Sequence, residues 1–263
     1  MESDSNVEVN TNVEEIIKNI QLAREKLEKS SFLTEFMEQM QNPETVARIE
    51  RVLGTDPEHS QFQIVLYGVG VMTPDKENPV DVEPNHMHLC LAILLREKFD
   101  WVHDIVVYDP VLSTMEKEAI NAFDCNCLSF DENCRRTVNR PTLFFMPHCP
   151  IFLTENVLEA NWSPENLNKI IILGNSLKGF DLVEQYRDIL DYTKKIKVIL
   201  DSDHLLHEMR LPISLDGAGH CSIKQLCYKS FHSLSWHFFD WDGSVHGFQR
   251  QDPEMFPRNY VET

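Results

Sequence analysis

Apolar positions change their period twice along this chain, and each change marks a different kind of structure. Residues 1–12 are polar and predict a disordered tail. From Val13 onward Ile16, Ile20, Ala23 and Leu27 recur at helical spacing between Glu and Lys, and Phe32, Phe36 and Met40 continue the stripe in a second helix. Pro43 opens a third helix carrying Val46, Ile49 and Leu53, and Gly54 ends it. Residues 13–57 thus read as an N-terminal helical appendage, whose apolar stripe is buried either on the following domain or on a partner.

Beyond the turn-rich Gly54–Pro57 the pattern becomes short apolar runs alternating with longer helical stretches. Strands are predicted at Phe62–Tyr67, Asp104–Tyr108, Cys125–Phe130, Leu143–Met146, Lys169–Leu173 and Lys197–Leu200. Helices are predicted near 85–98, 114–123, 152–160 and 181–194. This alternation is that of right-handed βαβ units, so the fold class is α/β, a mainly parallel doubly wound sheet with flanking helices. After Asp201 the alternation is lost, and Leu226–Tyr228 and Ser235–Phe239 read as antiparallel edge strands of the kind found in methyltransferase-like sheets.

Candidate chemistry collects where these strands end. Pro141–Pro150 is a short apolar run closed by two prolines, which cannot donate to a strand ladder, so His148 and Cys149 sit where the chain leaves the sheet. In open parallel sheets ligands bind beyond the carboxyl ends of the strands. Gly68 and Gly70 follow the first strand, where small residues let a backbone approach a phosphate or ribose or simply form a turn with positive φ. The fingerprint is incomplete, with no third glycine and a long loop from Met72 to Pro84. Asp109 ends the second strand, where a carboxylate can accept hydrogen bonds from a ribose diol or shape a turn before Pro110. Asn175 and Ser176 follow the fifth strand: Ser176 reads as a helix cap, while Asn175 is divided between ligand and cap. Glu116 reads as a complement to a helix dipole.

Met146-Pro-His-Cys-Pro150 resembles the hallmark of the sensitivity-to-red-light-reduced family. Tyr67-Gly-Val-Gly70, Val107-Tyr-Asp-Pro110, Leu173-Gly-Asn-Ser176 and Leu234-Ser-Trp-His-Phe-Phe239 match its pattern in order, over roughly residues 60 to 240. The resemblance implies a Rossmann-like domain over 58–245, followed by a C-terminal tail at 246–263. It also implies a regulatory protein acting through protein partners, in circadian clock input and light signalling or in haem biosynthesis.

Composition narrows the alternatives. Hydrophobic residues at 42% and charged residues at 25% are those of an ordinary globule. The excess of 42 acidic over 24 basic side chains, a formal charge of −18, repels phosphate backbones and argues against direct nucleic-acid binding. The acidic start lacks the pattern of a secretory or mitochondrial leader, and no run reaches bilayer length. Seven scattered cysteines fit reduced thiols. A cytoplasmic and also nuclear protein, without membrane contact, is expected.

The alternative to regulation is an enzyme or sensor holding a nucleotide-derived cofactor, S-adenosylmethionine or a dinucleotide, on Gly68, Gly70, Asp109 and Asn175, with His148 as proton acceptor. Adjacency of His148 and Cys149 argues against a direct Cys–His nucleophile pair. Cys149 is a candidate haem ligand, because a thiolate can hold haem iron, or else a buried, loop-capping cysteine. Cys125-x-Cys127, His86-x-His88 and His204-x-x-His207 lack the spacing of known zinc sites, so no metal is expected. Period-2 alternation sets His237 on the opposite face from Trp236 and Phe238.

Overall fold

The computed structural model describes residues 12–54, 61–74, 81–181, 194–202, 204–215 and 223–242. Of the tail expected at 1–12 only Asn12 is described, and the tail expected at 246–263 and the body of the helix expected over 181–194 lie outside the described residues.

Three helices open the chain: α1 Val13–Glu28, α2 Ser31–Gln41 and α3 Pro43–Leu53. Asn12, Ser30 and Asn42 cap them, each accepting a backbone N–H in the first turn. Gly54, at φ 70°, ends α3 as expected. Its buried face is rotated by one residue from the expected stripe. Thr45, Ile49 and Val52 point inward while Val46 is exposed.

The sheet follows: β1 Phe62–Tyr67, α4 Glu83–Lys98, β2 Val102–Tyr108, α5 Thr114–Asn121, β3 Cys125–Cys127, β4 Thr142–Met146, α6 Ile151–Ala160, α7 Pro164–Leu167 and β5 Ile170–Asn175. Then come α8 Leu177–Asp181, α9 Lys194–Leu200, β6 Leu206–Arg210, α10 Ile223–Phe231 and β7 Leu234–Phe239. The strand order is β3-β2-β1-β4-β5-β7-β6, parallel throughout except for β7, which runs antiparallel to both neighbours. The mixed seven-stranded α/β architecture therefore matches the expected class. Chain direction across the sheet reverses between β1 and β4, and this switch point opens the crevice in which doubly wound sheets present their loops.

Side-chain alternation builds one core on each face. Phe62, Ile64 and Leu66 of β1, Leu143 and Phe145 of β4, and Trp236 and Phe238 of β7 face one cluster, which includes Ile16, Ile20, Ala23 and Leu27 of α1. Val65, Tyr67, Phe144 and Met146 face the other, with α6 and α9. The N-terminal stripe thus packs on α4 and the sheet, and the guanidinium of Arg24 ties α1 to Glu97 of α4 at 2.6 Å. Ten consecutive residues of α4, His86–Leu95, are buried, which places this helix under a second layer of helices. No described helix is long and apolar enough to cross a membrane.

Three expected strands are corrected. Lys197–Leu200 lies in a helix, because Ile196 and Ile199 bury one turn apart and the Glu155 carboxylate accepts the N–H groups of Lys195 and Ile196 at 2.7 and 2.9 Å. The β-branched run suggested a strand, and the tertiary cap overrode it. Leu226–Tyr228 belongs to α10, whose buried Leu226, Cys227, Ser230 and Phe231 keep helical spacing. The third strand ends at Cys127 instead of Phe130. Antiparallel Ser235–Phe239 is present within β7, whereas β6 was missed because its only charged inward residue, Glu208, hides the apolar alternation.

Glu155 gives a pH prediction. Burial, outweighing the two N–H donors, pushes its carboxyl up to about 7 from 4.5. An acid whose folded pKa is raised binds more protons when folded, so stability falls as the pH rises from about 4.5 to about 7. Urea unfolding across that window should show a loss on the order of 2 kcal/mol, and Glu155→Gln should flatten the profile.

Candidate functional site

The carboxyl ends of β1, β2, β4 and β5 bring Gly68, Gly70, Asp109, His148, Cys149 and Asn175 onto one rim, joined by a continuous set of hydrogen bonds. The glycine loop comes first. Gly68 and Gly70 adopt φ of 69° and 76°, the left-handed region that glycine enters without cost. Gly68 N–H donates to the Tyr108 carbonyl at 3.2 Å, and Gly70 N–H donates to Asp109 Oδ2 at 2.8 Å. The other Asp109 oxygen accepts Val111 N–H at 3.1 Å. Each Asp109 oxygen thus holds one loop N–H.

Glu116 fastens the next part of the same loop. Its Oε1 accepts Met72 N–H at 2.7 Å, Thr73 N–H at 2.9 Å and the Thr73 hydroxyl at 2.8 Å, while Oε2 accepts Ser113 N–H at 2.8 Å in a capping box. Burial pushes this carboxyl up, but the donors from Ser113, Thr73 and Met72 together outweigh it and hold the pKa below the ordinary value. The dipole reading of Glu116 captured its place in the helix and missed the clamp, which depends on a segment more than forty residues away. Asn85 Nδ2 and His86 Nε2 add contacts to the Val71 and Met72 carbonyls, both 2.8 Å.

The Pro147–Pro150 loop closes the crevice from the β4 side. His148 is a non-glycine residue at φ 53°, a conformation costing on the order of 1 kcal/mol. That backbone turns Cys149 inward, so its Sγ donates to the Tyr67 carbonyl at 3.5 Å. The sulfur stands 2.5 Å from where a Cβ on Gly68 would project. Burial, reinforced by the charge of Asp109, pushes the Cys149 thiol up to about 12. In this arrangement it rests as a neutral thiol.

Asn175 completes the rim, with Nδ2 donating to the Cys149 carbonyl at 2.9 Å and Oδ1 accepting the Ser233 hydroxyl at 3.4 Å. Ser176 caps α8 through Gly179 N–H at 2.9 Å and donates to Glu208. Behind it His237 is buried, with Nε2 3.6 Å from Glu208 and Nδ1 3.1 Å from the Ile172 carbonyl. It reaches neither solvent nor the open crevice.

His148 itself faces outward. Its Nε2 lies 3.0 Å from the Ser230 carbonyl and its Nδ1 3.2 Å from Ser233 Oγ. His88 Nε2 meets the same Ser230 carbonyl at 2.8 Å, and its ring centroid is 5.5 Å from that of His148. Burial pushes His88 down to about 3. His148 is also lowered, first by burial and then by neighbouring His232, against the pull of the Ser230 carbonyl. Ser230, Ser233 and His88 were not singled out as site residues, and only the spacing of His88 from His86 hinted at a role. His86 and His88 turn to different carbonyls, those of Met72 and Ser230, and among the described residues no three His, Cys, Asp or Glu side chains are arranged to hold a metal.

A nucleotide-derived cofactor needs a free carboxylate, an open glycine flank and a free amide. As arranged, Asp109 is drawn onto the Gly70 and Val111 N–H groups, the flank of Gly68 holds the Cys149 sulfur, and the Asn175 amide is bonded to Cys149. These residues do not fit such a ligand in this conformation. Two surface cavities, of about 590 and 680 Å³, instead adjoin Gln63 and Thr142 or Gln63 and His103, near the amino ends of the strands.

Comparison with known proteins decides the family. The model of the SRR1 domain matches residues 23–238. The chain belongs to the SRR1 domain family. It is 36% identical over 221 residues to Protein SENSITIVITY TO RED LIGHT REDUCED 1 from Arabidopsis thaliana, covering 84% of this chain and 73% of that protein. It is 32% identical over 124 residues to the SRR1-like protein of Mus musculus, 46% of this chain and 47% of that one. The family match begins inside α1 and ends inside β7. Among solved structures the chain is similar to the 23S rRNA methyltransferase ErmE, with TM-score 0.34, 11% identity and 79% and 72% of the two chains covered. It is also similar to the plantazolicin methyltransferase BpumL, with TM-score 0.32, 12% identity and 87% and 99% covered.

Proposed function

We propose that this SRR1-domain chain is an intracellular regulatory protein, cytoplasmic and nuclear, that acts through protein partners in light signalling and circadian clock input. Control of haem biosynthesis is the second branch of the same reading. The name of the Arabidopsis relative, similar over most of both chains, supports the first branch. The observation that carries the regulatory reading is the self-satisfied rim, where the groups suited to a cofactor are bonded to one another. A domain so arranged is suited to presenting a fixed surface.

The test is genetic. Disrupting the coding sequence in the source organism should change the free-running rhythm period or the response to red light, with rescue by the wild-type chain. Unchanged rhythm and light response together with altered porphyrin content would move the assignment to haem synthesis; no change in any of the three would overturn the proposal. A ligand measurement decides the competing cofactor reading. No thermal stabilisation by S-adenosylmethionine, nicotinamide dinucleotides or haem is expected, although a ligand at a hundred times its Kd would contribute about 2.7 kcal/mol. Stabilisation by S-adenosylmethionine that disappears in Asp109→Ala would establish a ribose site instead.

A further inference from the structure

We propose that Ser233 and His148 form a nucleophile–base dyad that accepts an acyl group from an uncharged carboxylic ester and passes it to water. The pair lies at the outer edge of the bonded rim, where Ser233 meets His148 and Asn175. Ser233 is half-buried and His148 exposed, so a substrate can reach them. Ser233 Oγ and His148 Nδ1 are 3.2 Å apart, within reach for proton transfer. The opposite ring nitrogen lies 3.0 Å from the Ser230 carbonyl, an acceptor only, which fixes the proton on Nε2 and leaves Nδ1 as the basic nitrogen facing the hydroxyl.

That carbonyl takes the orienting place that a carboxylate holds in a Ser-His-Asp triad. It is itself held by a second imidazole, His88 Nε2 at 2.8 Å, so it cannot swing away without leaving a buried donor unpaired. Asn175 Oδ1, 3.4 Å from Ser233 Oγ, accepts the same hydroxyl proton in a longer contact, which the hydroxyl leaves when it donates to His148 Nδ1, and the Asn175 amide is locked onto Cys149. His148 sits at φ 53°, and its ring is held between the Ser230 carbonyl and Ser233 Oγ. With its pKa lowered, His148 is neutral near pH 7 and ready to take a proton. The overall charge of −18 favours uncharged over anionic substrates.

In the first step the Ser233 Oγ–carbon bond forms, the ester carbon–oxygen bond breaks, and the hydroxyl proton passes to His148 Nδ1 and on to the departing alkoxide. In the second, water loses a proton to Nδ1 while its oxygen bonds the acyl carbon, the carbon–Ser233 Oγ bond breaks, and Nδ1 returns the proton to Ser233 Oγ, releasing the carboxylic acid. The proposal is independent of the regulatory reading and would add a covalent step to it.

The test uses a fluorophosphonate probe on the full chain, in which a serine oxygen–phosphorus bond replaces the phosphorus–fluorine bond. Mass spectrometry should find one adduct per chain on Ser233, absent in Ser233→Ala. The rate should rise with pH as His148 loses its proton. His148→Asn, chosen because asparagine tolerates left-handed backbone, should slow it about 100-fold or more, with added imidazole restoring part of the loss. No adduct on folded wild type, a flat pH profile, or a rate unchanged in folded His148→Asn would each overturn the dyad. Should His148→Asn fail to fold, the wild-type adduct and its pH profile still decide.

Discussion

Gly68→Ala should lower folding stability by about 2 to 5 kcal/mol, from left-handed backbone strain of roughly 1 to 2 and overpacking of roughly 1 to 3. The glycine sits at φ 69°, where a side chain is strained even in open space, and the space is not open. A new Cβ would project to 2.5 Å from Cys149 Sγ. That sulfur is no movable side-chain tip: Cys149 is buried and held on the Tyr67 carbonyl between two prolines. Either the β4 loop shifts, pulling His148 off Ser230 and Ser233, or the β1 loop shifts, pulling Gly70 off Asp109. Urea denaturation of Gly68→Ala, Cys149→Ala and the double variant separates the two contributions. Cys149→Ala removes the overlap but not the φ strain, so the double variant should be more stable than additivity predicts by about 1 to 3 kcal/mol. Strict additivity would show that the two loops are not in contact, and the closed-rim description would fail with it.

Removing the second clamp should be of similar weight. Glu116→Ala should cost roughly 3 to 4 kcal/mol, because it strips acceptors from Met72 N–H, Thr73 N–H, the Thr73 hydroxyl and Ser113 N–H at once. Glu116→Gln keeps the shape and one acceptor while replacing the other oxygen by a donor facing N–H groups, so it should lie between wild type and alanine. The sign with pH follows from the lowered pKa. A depressed carboxyl contributes stability that is complete above its unfolded value and lost as pH falls through the folded one. Acid unfolding of wild type should therefore be steeper below about pH 4.5 than that of Glu116→Gln. Hydrogen exchange at Met72 and Thr73 gives the local readout: both amides should exchange faster in Glu116→Ala, and unchanged protection would refute the clamp.

Both residues show how much of the site could be read before the structure. The strand-end positions of Gly68, Asp109, His148 and Asn175 were legible because buried parallel strands are continuous apolar runs and their ends are marked by glycine, proline and polar residues. Their partners were not. Glu116 reaches Met72, Cys149 reaches Gly68 and Ser233 reaches His148 across 44, 81 and 85 positions of sequence, and no local pattern specifies such pairs. The sequence also misled where tertiary contacts outweighed local preference, as in α9, whose β-branched residues are held helical by the buried Glu155.

What the residue order determined by itself is the α/β alternation, the capped and amphipathic N-terminal helices, and the motifs that mark the SRR1 family. These rest on periodicity and on backbone chemistry acting within a few residues. Only the folded chain decided that β6 pairs beyond β7 as the last strand of the sheet, that α1 lies over α4, and that the rim is bonded by the chain's own sulfur and carboxylates. Burial and hydrogen-bond satisfaction are properties of the whole assembly: a polar atom's partner is chosen by which loops the sheet brings together, and that is settled when the layers pack.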